Sequence, residues 1–110
     1  MQPNTLYANG VSSMMNHLTK ESYAGDVYEY YPLGTHVVAA PAVCGGRPTF
    51  KYTRIEVRMI LAYLAEGKTI PKIVKDYGRK ELTAEAIKEA LLLASSAFDQ
   101  SIYSPQLIAA

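Results

Sequence analysis

Two glycines, Gly67 and Gly78, divide the second half of the chain into three apolar stripes of helical period, and this punctuation restricts the fold more than any other feature. Val57, Ile60, Leu61 and Leu64 recur at i, i+3, i+4 and i+7, and Gly67 follows as a C′ residue would. Thr69 can cap a second helix with Pro71 in its first turn, where a missing N–H costs little. Its stripe is Ile70, Ile73, Val74 and Tyr77, and Gly78 ends it. Thr83 can cap a third helix. Leu82 and Ile87 are spaced for a hydrophobic staple, and Glu85 sits near the positive helix end. That helix is expected to reach about Phe98 through Ile87, Ala90, Leu91, Ala94 and Phe98. The expected fold is therefore mainly α: a three-helix unit of helix-turn-helix type preceded by a short β-hairpin. The turn from Gly78 to Leu82 is slightly long for the tightest form of that motif.

The hairpin expectation rests on Val27–Tyr31, aromatic and β-branched, and on His36–Val38, joined by Pro32, Leu33 and Gly34. Pro41 stops regular pairing, Gly45–Gly46 marks a sharp bend, and Thr49–Thr53 suits one more short strand. In residues 1–25, Ser12 or Ser13 could cap a short helix containing Met14, Met15 and Leu18, too short to stand alone. The expected organisation is an N-terminal arm over 1–25, a helical domain over 26–98 and a tail over 99–110.

With 110 residues the chain makes one domain and buries about 65% of the surface its unfolded form exposes. The third helix is apolar around most of its girth: Ala86, Leu93 and Ala97 widen the stripe, and Leu92 lies nearly opposite it. Such a helix must be covered on several sides. A homodimer is expected, with Leu92, Leu93, Ala97, Ile102, Tyr103 and Leu107 as its interface. No apolar run approaches the roughly 18–20 residues that span a bilayer, and no signal peptide is visible, which places the protein in the cytoplasm.

Charge is segregated along the chain. Residues 47–80 hold nine Lys and Arg against three acidic residues, while both flanks are acidic. A basic middle suits an anionic partner or the acidic part of a second copy. Candidate phosphate contacts are Arg47, Lys51, Arg54, Arg58, Lys72, Lys75, Arg79, Lys80 and Lys88. Base reading is poorly supplied: the first turns of the third helix offer Ala84, Glu85, Lys88 and Glu89, of which only Lys88 is a natural donor. Arg54 has a competing structural role, tying carbonyls or a carboxylate such as Glu56 or Glu81. Gly45 and Gly46 suit a turn better than a phosphate nest. Tyr28, Tyr30 and Tyr31 could stack on bases, but strand packing is their commoner fate. Catalysis finds little support. His17 and His36 have no metal-ligand spacing, and Cys44, the only cysteine, reads as a small buried hydrophobe. No cofactor or metal is implied.

Three blocks resemble one family in order and spacing. The run from Val43 through Gly45-Gly46-Arg47-Pro48 to Thr53-Arg54-Ile55-Glu56-Val57 resembles the Gly-Gly-Lys/Arg-Pro and Gly-Thr-Arg-Ile signature of the domain-of-unknown-function 433 (DUF433) family. Leu64–Ile70, followed by Ile73–Tyr77, is the second block, and Leu82–Ile87 with its alanine- and leucine-rich helix is the third. The resemblance covers about residues 38–98, with Tyr52 standing where many members have Gly. It implies a homeodomain-like or winged-helix-like protein, mostly bacterial or archaeal, of a kind often labelled an antitoxin. Such an antitoxin would bind operator DNA as a dimer and sequester a ribonuclease toxin. The expected function is thus a non-enzymatic, homodimeric, DNA-binding regulator; the alternative is a protein-interaction module without DNA binding.

Overall fold

The computed structural model describes residues 17–102. Four strands, β1 (Thr19–Tyr23), β2 (Asp26–Pro32), β3 (Val37–Ala39) and β4 (Thr49–Phe50), form an antiparallel sheet in the order β1-β2-β3-β4. Three helices follow: α1 (Val57–Ala65), α2 (Ile70–Tyr77) and α3 (Ala84–Ile102). The expectation of a mainly α protein with a short hairpin is therefore corrected. The chain combines a four-stranded sheet with three helices.

The physical reason lies in β1 and its turn. Ala24 and Gly25 both have positive φ, 55° and 87°, and make a two-residue hairpin loop whose twist matches the strands it joins. The strand before it, Thr-Lys-Glu-Ser-Tyr, is a polar edge strand without apolar alternation. Thr19–Tyr23 thus pairs with β2 in the register Glu21↔Tyr28 and Tyr23↔Asp26, where an arm was expected. The expected helix at Met14 and Met15 lies outside the described residues.

The β2–β3 hairpin forms where Pro32-Leu33-Gly34 was expected to turn. The Leu33 and Gly34 amides both donate to the Val37 carbonyl, at 2.9 and 3.0 Å. The strand expected over Thr49–Thr53 stops at Phe50, because Tyr52 takes φ 68° and turns the backbone. Thr53 holds that turn: its hydroxyl donates to the Phe50 carbonyl at 2.8 Å and accepts from the Ile55 amide at 3.0 Å.

The helices start and stop for the reasons read in the sequence. The Thr69 hydroxyl accepts from the Lys72 amide, and that of Thr83 from the Ala86 amide. Gly78, at φ 62°, closes α2 through its amide to the Val74 carbonyl. α3 continues one turn past Phe98, to Ile102.

β3 is buried on both faces and joins two clusters. Val37 faces the helices with Phe50, Val57, Ile60, Ile73, Leu82, Ile87 and Ala90. Val38 faces the other way, with Tyr30 and Ala40. Full burial of each large aliphatic side chain contributes about 1.5–3 kcal/mol, so Ile60, Ile73, Leu82 and Ile87, all fully buried, fix the three helices on the sheet.

Candidate functional site: an apolar groove between two helices

α1 and the second half of α3 diverge, and the space between them is left open. The cavity is about 340 Å³. Its α3 wall is Ala90, Leu93, Ala94 and Ala97; its α1 wall is Val57 and Leu61; Leu33 and Val37 from the hairpin floor it. The small side chains on α3 explain the opening, since three alanines cannot reach across to α1. Residues 90–98 of α3 carry no charge. Phe98, beside the groove, is 64% exposed, and Leu91 and Ile102 are exposed with it.

One rim is polar. The Glu56 carboxylate receives Arg47 Nε at 2.8 Å and Nη2 at 3.2 Å, and Arg58 Nε at 2.8 Å. The Arg47 hydrogen bonds hold the Glu56 carboxyl below the usual glutamate range, with the positive charges of Arg47 and Arg58 adding to the effect. Arg47 and Arg58, two candidate phosphate contacts, are therefore tied to a carboxylate at the groove mouth.

Of the other expected nucleic-acid residues, Lys51, Arg54, Arg79 and Lys80 line two clefts that share Tyr52, whereas Lys72, Lys75 and Lys88 line neither. Lys51 lies 3.5 Å from Glu21, Lys72 pairs with Asp76 at 3.0 Å, and Arg79 with Glu81 at 3.3 Å. Arg54, Lys75, Lys80 and Lys88 form no ion pair among the described residues. Arg54 thus does not take the carboxylate of Glu56 or Glu81; other arginines hold both. Its carbonyl accepts from Cys44 Sγ at 3.5 Å.

The expected dimer residues divide by helix face. Leu93 and Ala97 line the groove. Ile102 lies on the exposed flank with Leu91 and Phe98. Leu92, 71% exposed, is two residues from both Ala90 and Ala94 and so points to the opposite side of α3, on the face of Glu85, Lys88 and Asp99. Tyr103 and Leu107 lie outside the described residues.

Gly45–Gly46 forms a turn. The Gly46 amide donates to the Val43 carbonyl and the Arg47 amide to that of Cys44, leaving neither for an anion. Among the described residues no cluster of three His, Cys, Asp or Glu could hold a metal ion, and no helix is long and apolar enough to cross a membrane.

The sequence missed the role of Glu89. Its carboxylate accepts three backbone amides from the β2–β3 turn: Thr35 at 2.8 Å, His36 at 2.6 Å and Val37 at 3.0 Å.

The family model described as "Protein of unknown function (DUF433)" matches residues 37–94, from the first residue of β3 to the groove wall at Ala94. The chain belongs to the DUF433 family. No curated protein and no solved structure matches it. The DUF433 unit comprises β3, β4, α1, α2 and the first part of α3, whereas β1 and β2 lie outside the match. The groove is built almost wholly within the family unit, but the exposed Phe98 and Ile102 beside it are not.

Proposed function

We propose that this DUF433 chain is a non-enzymatic interaction module that pairs with a second copy of itself through the α1–α3 groove. The observation that carries this reading is self-complementarity. One uncharged stretch of α3 presents both a hole, at Ala90, Ala94 and Ala97, and a large exposed knob, Phe98. A two-fold pair lets each copy's knob fill the other's hole, as an isologous interface requires. The small residues on α3 permit close approach of two helices, and no charge in residues 90–98 must be stripped of water. Sedimentation equilibrium of the wild type, Phe98→Asp and Leu92→Glu tests it. A dimer abolished by Phe98→Asp and retained by Leu92→Glu fits the groove; a dimer indifferent to Phe98→Asp rejects it.

A regulator of antitoxin type, binding duplex DNA, is the second reading. It is favoured by Arg54, Lys75, Lys80 and Lys88, candidate phosphate contacts that have no acidic partner among the described residues. The outward face of α3 gives it little help, since Glu85 and Asp99 would face phosphates and Leu92 stands between them. A salt-sensitive shift with the DNA upstream of its own gene would support this reading, and the absence of one would remove it. Co-purification with a ribonuclease encoded by a neighbouring gene would support a toxin partner, and separate elution of the two would count against it.

A further inference from the structure

The basic middle of the chain meets the tyrosine-rich sheet along a seam that the pairing reading does not use. Two clefts open there, on either side of Tyr52. One, of about 400 Å³, is lined by Tyr23, Tyr28, Tyr52, Arg54, Ile55 and Arg79 among others. The second, of about 320 Å³, is lined by His36, Lys51, Tyr52, Lys80, Glu81 and Thr83 among others. Both fall in the size range of sites for small organic groups, about 300–1,000 Å³.

The walls combine ring faces with cations. Tyr23 and Tyr52 stack with centroids 4.2 Å apart and planes 8° from parallel. Tyr28 tilts against both, at 6.2 and 5.3 Å. Tyr23 is exposed. Arg54 opens on the first cleft and Lys80 on the second, each without an acidic partner among the described residues. Two carboxylates approach the seam, and both are already engaged. Glu81 takes Arg79 and the Tyr23 hydroxyl. Glu21 takes Lys51 and the hydroxyls of Tyr30 and Tyr52. The seam therefore keeps an excess of positive charge beside its aromatic surface.

We infer that this seam is a track for single-stranded nucleic acid, with bases against the Tyr23–Tyr52 stack and phosphates on Arg54 and Lys80. Aromatic faces recessed in clefts are reached by an unstacked base and not by a base inside a duplex. The two clefts meet at Tyr52, whose ring is covered by Tyr23 on one face and by Lys51 Nζ at 4.9 Å, so a base stacked on Tyr23 leads the strand past Lys51 towards Lys80. The inference is independent of pairing through the α1–α3 groove, whose residues lie elsewhere.

The test is the fluorescence anisotropy of a fluorescein-labelled single-stranded oligonucleotide titrated with the full chain at low salt. Unlabelled single-stranded DNA, single-stranded RNA, duplex DNA and inorganic phosphate serve as competitors. Single strands are expected to compete better than duplex, and phosphate alone weakly. Tyr23→Leu is expected to weaken binding about fivefold to a hundredfold, the range for losing one base–aromatic stack. Arg54→Gln with Lys80→Gln is expected to reduce the slope of log K against log salt by about 1.4, or about 0.7 for each phosphate contact. Both of these side chains are exposed and unpaired, so the double variant stays folded even if Tyr23→Leu loosens the hairpin. Absence of binding, tighter binding of duplex, or a salt slope unchanged in the double variant would each overturn the inference.

Discussion

The Glu89 carboxylate lies against the bare backbone of Gly34: a Cβ built at Gly34 would stand 2.7 Å from Glu89 Cδ. Glycine leaves room for this close approach, in which one side chain of α3 gathers the amides of Thr35, His36 and Val37. Glu89 thereby clips the family's first strand, β3, to its last helix. Glu89→Ala is expected to destabilise the fold by about 1–3 kcal/mol, the cost of leaving such donors unmatched. Gly34→Ala should cost a similar amount by pushing the carboxylate away. The double variant should be less destabilised than the two single effects added together, because both break one contact. Urea unfolding midpoints of the three variants check this, and strict additivity would count against the clip.

Thr49 carries an internal cost. It is fully buried in β4, and its hydroxyl finds no hydrogen-bond partner among the described residues. Thr49→Val keeps the branched shape and removes the unmatched hydroxyl, so it is expected to stabilise the protein by about 1 kcal/mol. Thermal unfolding of the variant reads this directly; a lower midpoint would show that the hydroxyl is satisfied in solution.

The acid response follows from Glu56 and Glu21. Both carboxyls are held below the ordinary value of 4.5, Glu56 by hydrogen bonds from Arg47 and Glu21 by those from Tyr30 and then Tyr52. Over the interval between the depressed folded value and the unfolded one, the unfolded chain binds more protons. Their contribution is therefore complete above about pH 4.5 and is lost as pH falls through the depressed folded values. Unfolding midpoints measured from pH 6 down to pH 2 should fall through that window, and more shallowly in Glu56→Gln. An equally steep fall in the variant would separate Glu56 from the acid response.

The helices were legible because their signals are local. A stripe of period 3.6, a threonine cap and a glycine stop lie within a few residues of one another, as at Thr69, Ile73 and Gly78. β1 was illegible because its order comes from partners far along the chain: Glu21 is held by Tyr30, Lys51 and Tyr52. Ala24-Gly25 is also a weaker hairpin signal than Asn-Gly, since alanine rarely accepts positive φ. Glu89 looked like one more solvated helix charge, because nothing in sequence shows three amides converging on it. The groove was only partly legible. Excess apolar surface on α3 was visible, but the gap left by Ala90, Ala94 and Ala97 against α1 depends on how the helices diverge.

Tyr52 joins the β1–β2 hairpin to the DUF433 unit under backbone strain. At φ 68° a non-glycine residue costs about 1 kcal/mol. Its ring stack with Tyr23, the hydrogen bond its backbone N–H donates to the Tyr28 hydroxyl at 3.1 Å and the one its own hydroxyl donates to Glu21 offset that cost. Tyr52→Gly relieves the strain and removes the stack. Hydrogen exchange is expected to accelerate about tenfold over residues 19–32, while the helical core keeps its protection. Uniform acceleration across both regions would show that the hairpin and the helices unfold as one unit.

Pairing through the α1–α3 groove is tested most directly by an isotope-filtered nuclear Overhauser experiment on a mixture of labelled and unlabelled chains. The account predicts intermolecular contacts from the Phe98 ring to the methyl groups of Leu61, Leu93 and Ala97. A sample at millimolar concentration that shows no such contacts, or in which the Phe98 ring meets only its own chain, would contradict it.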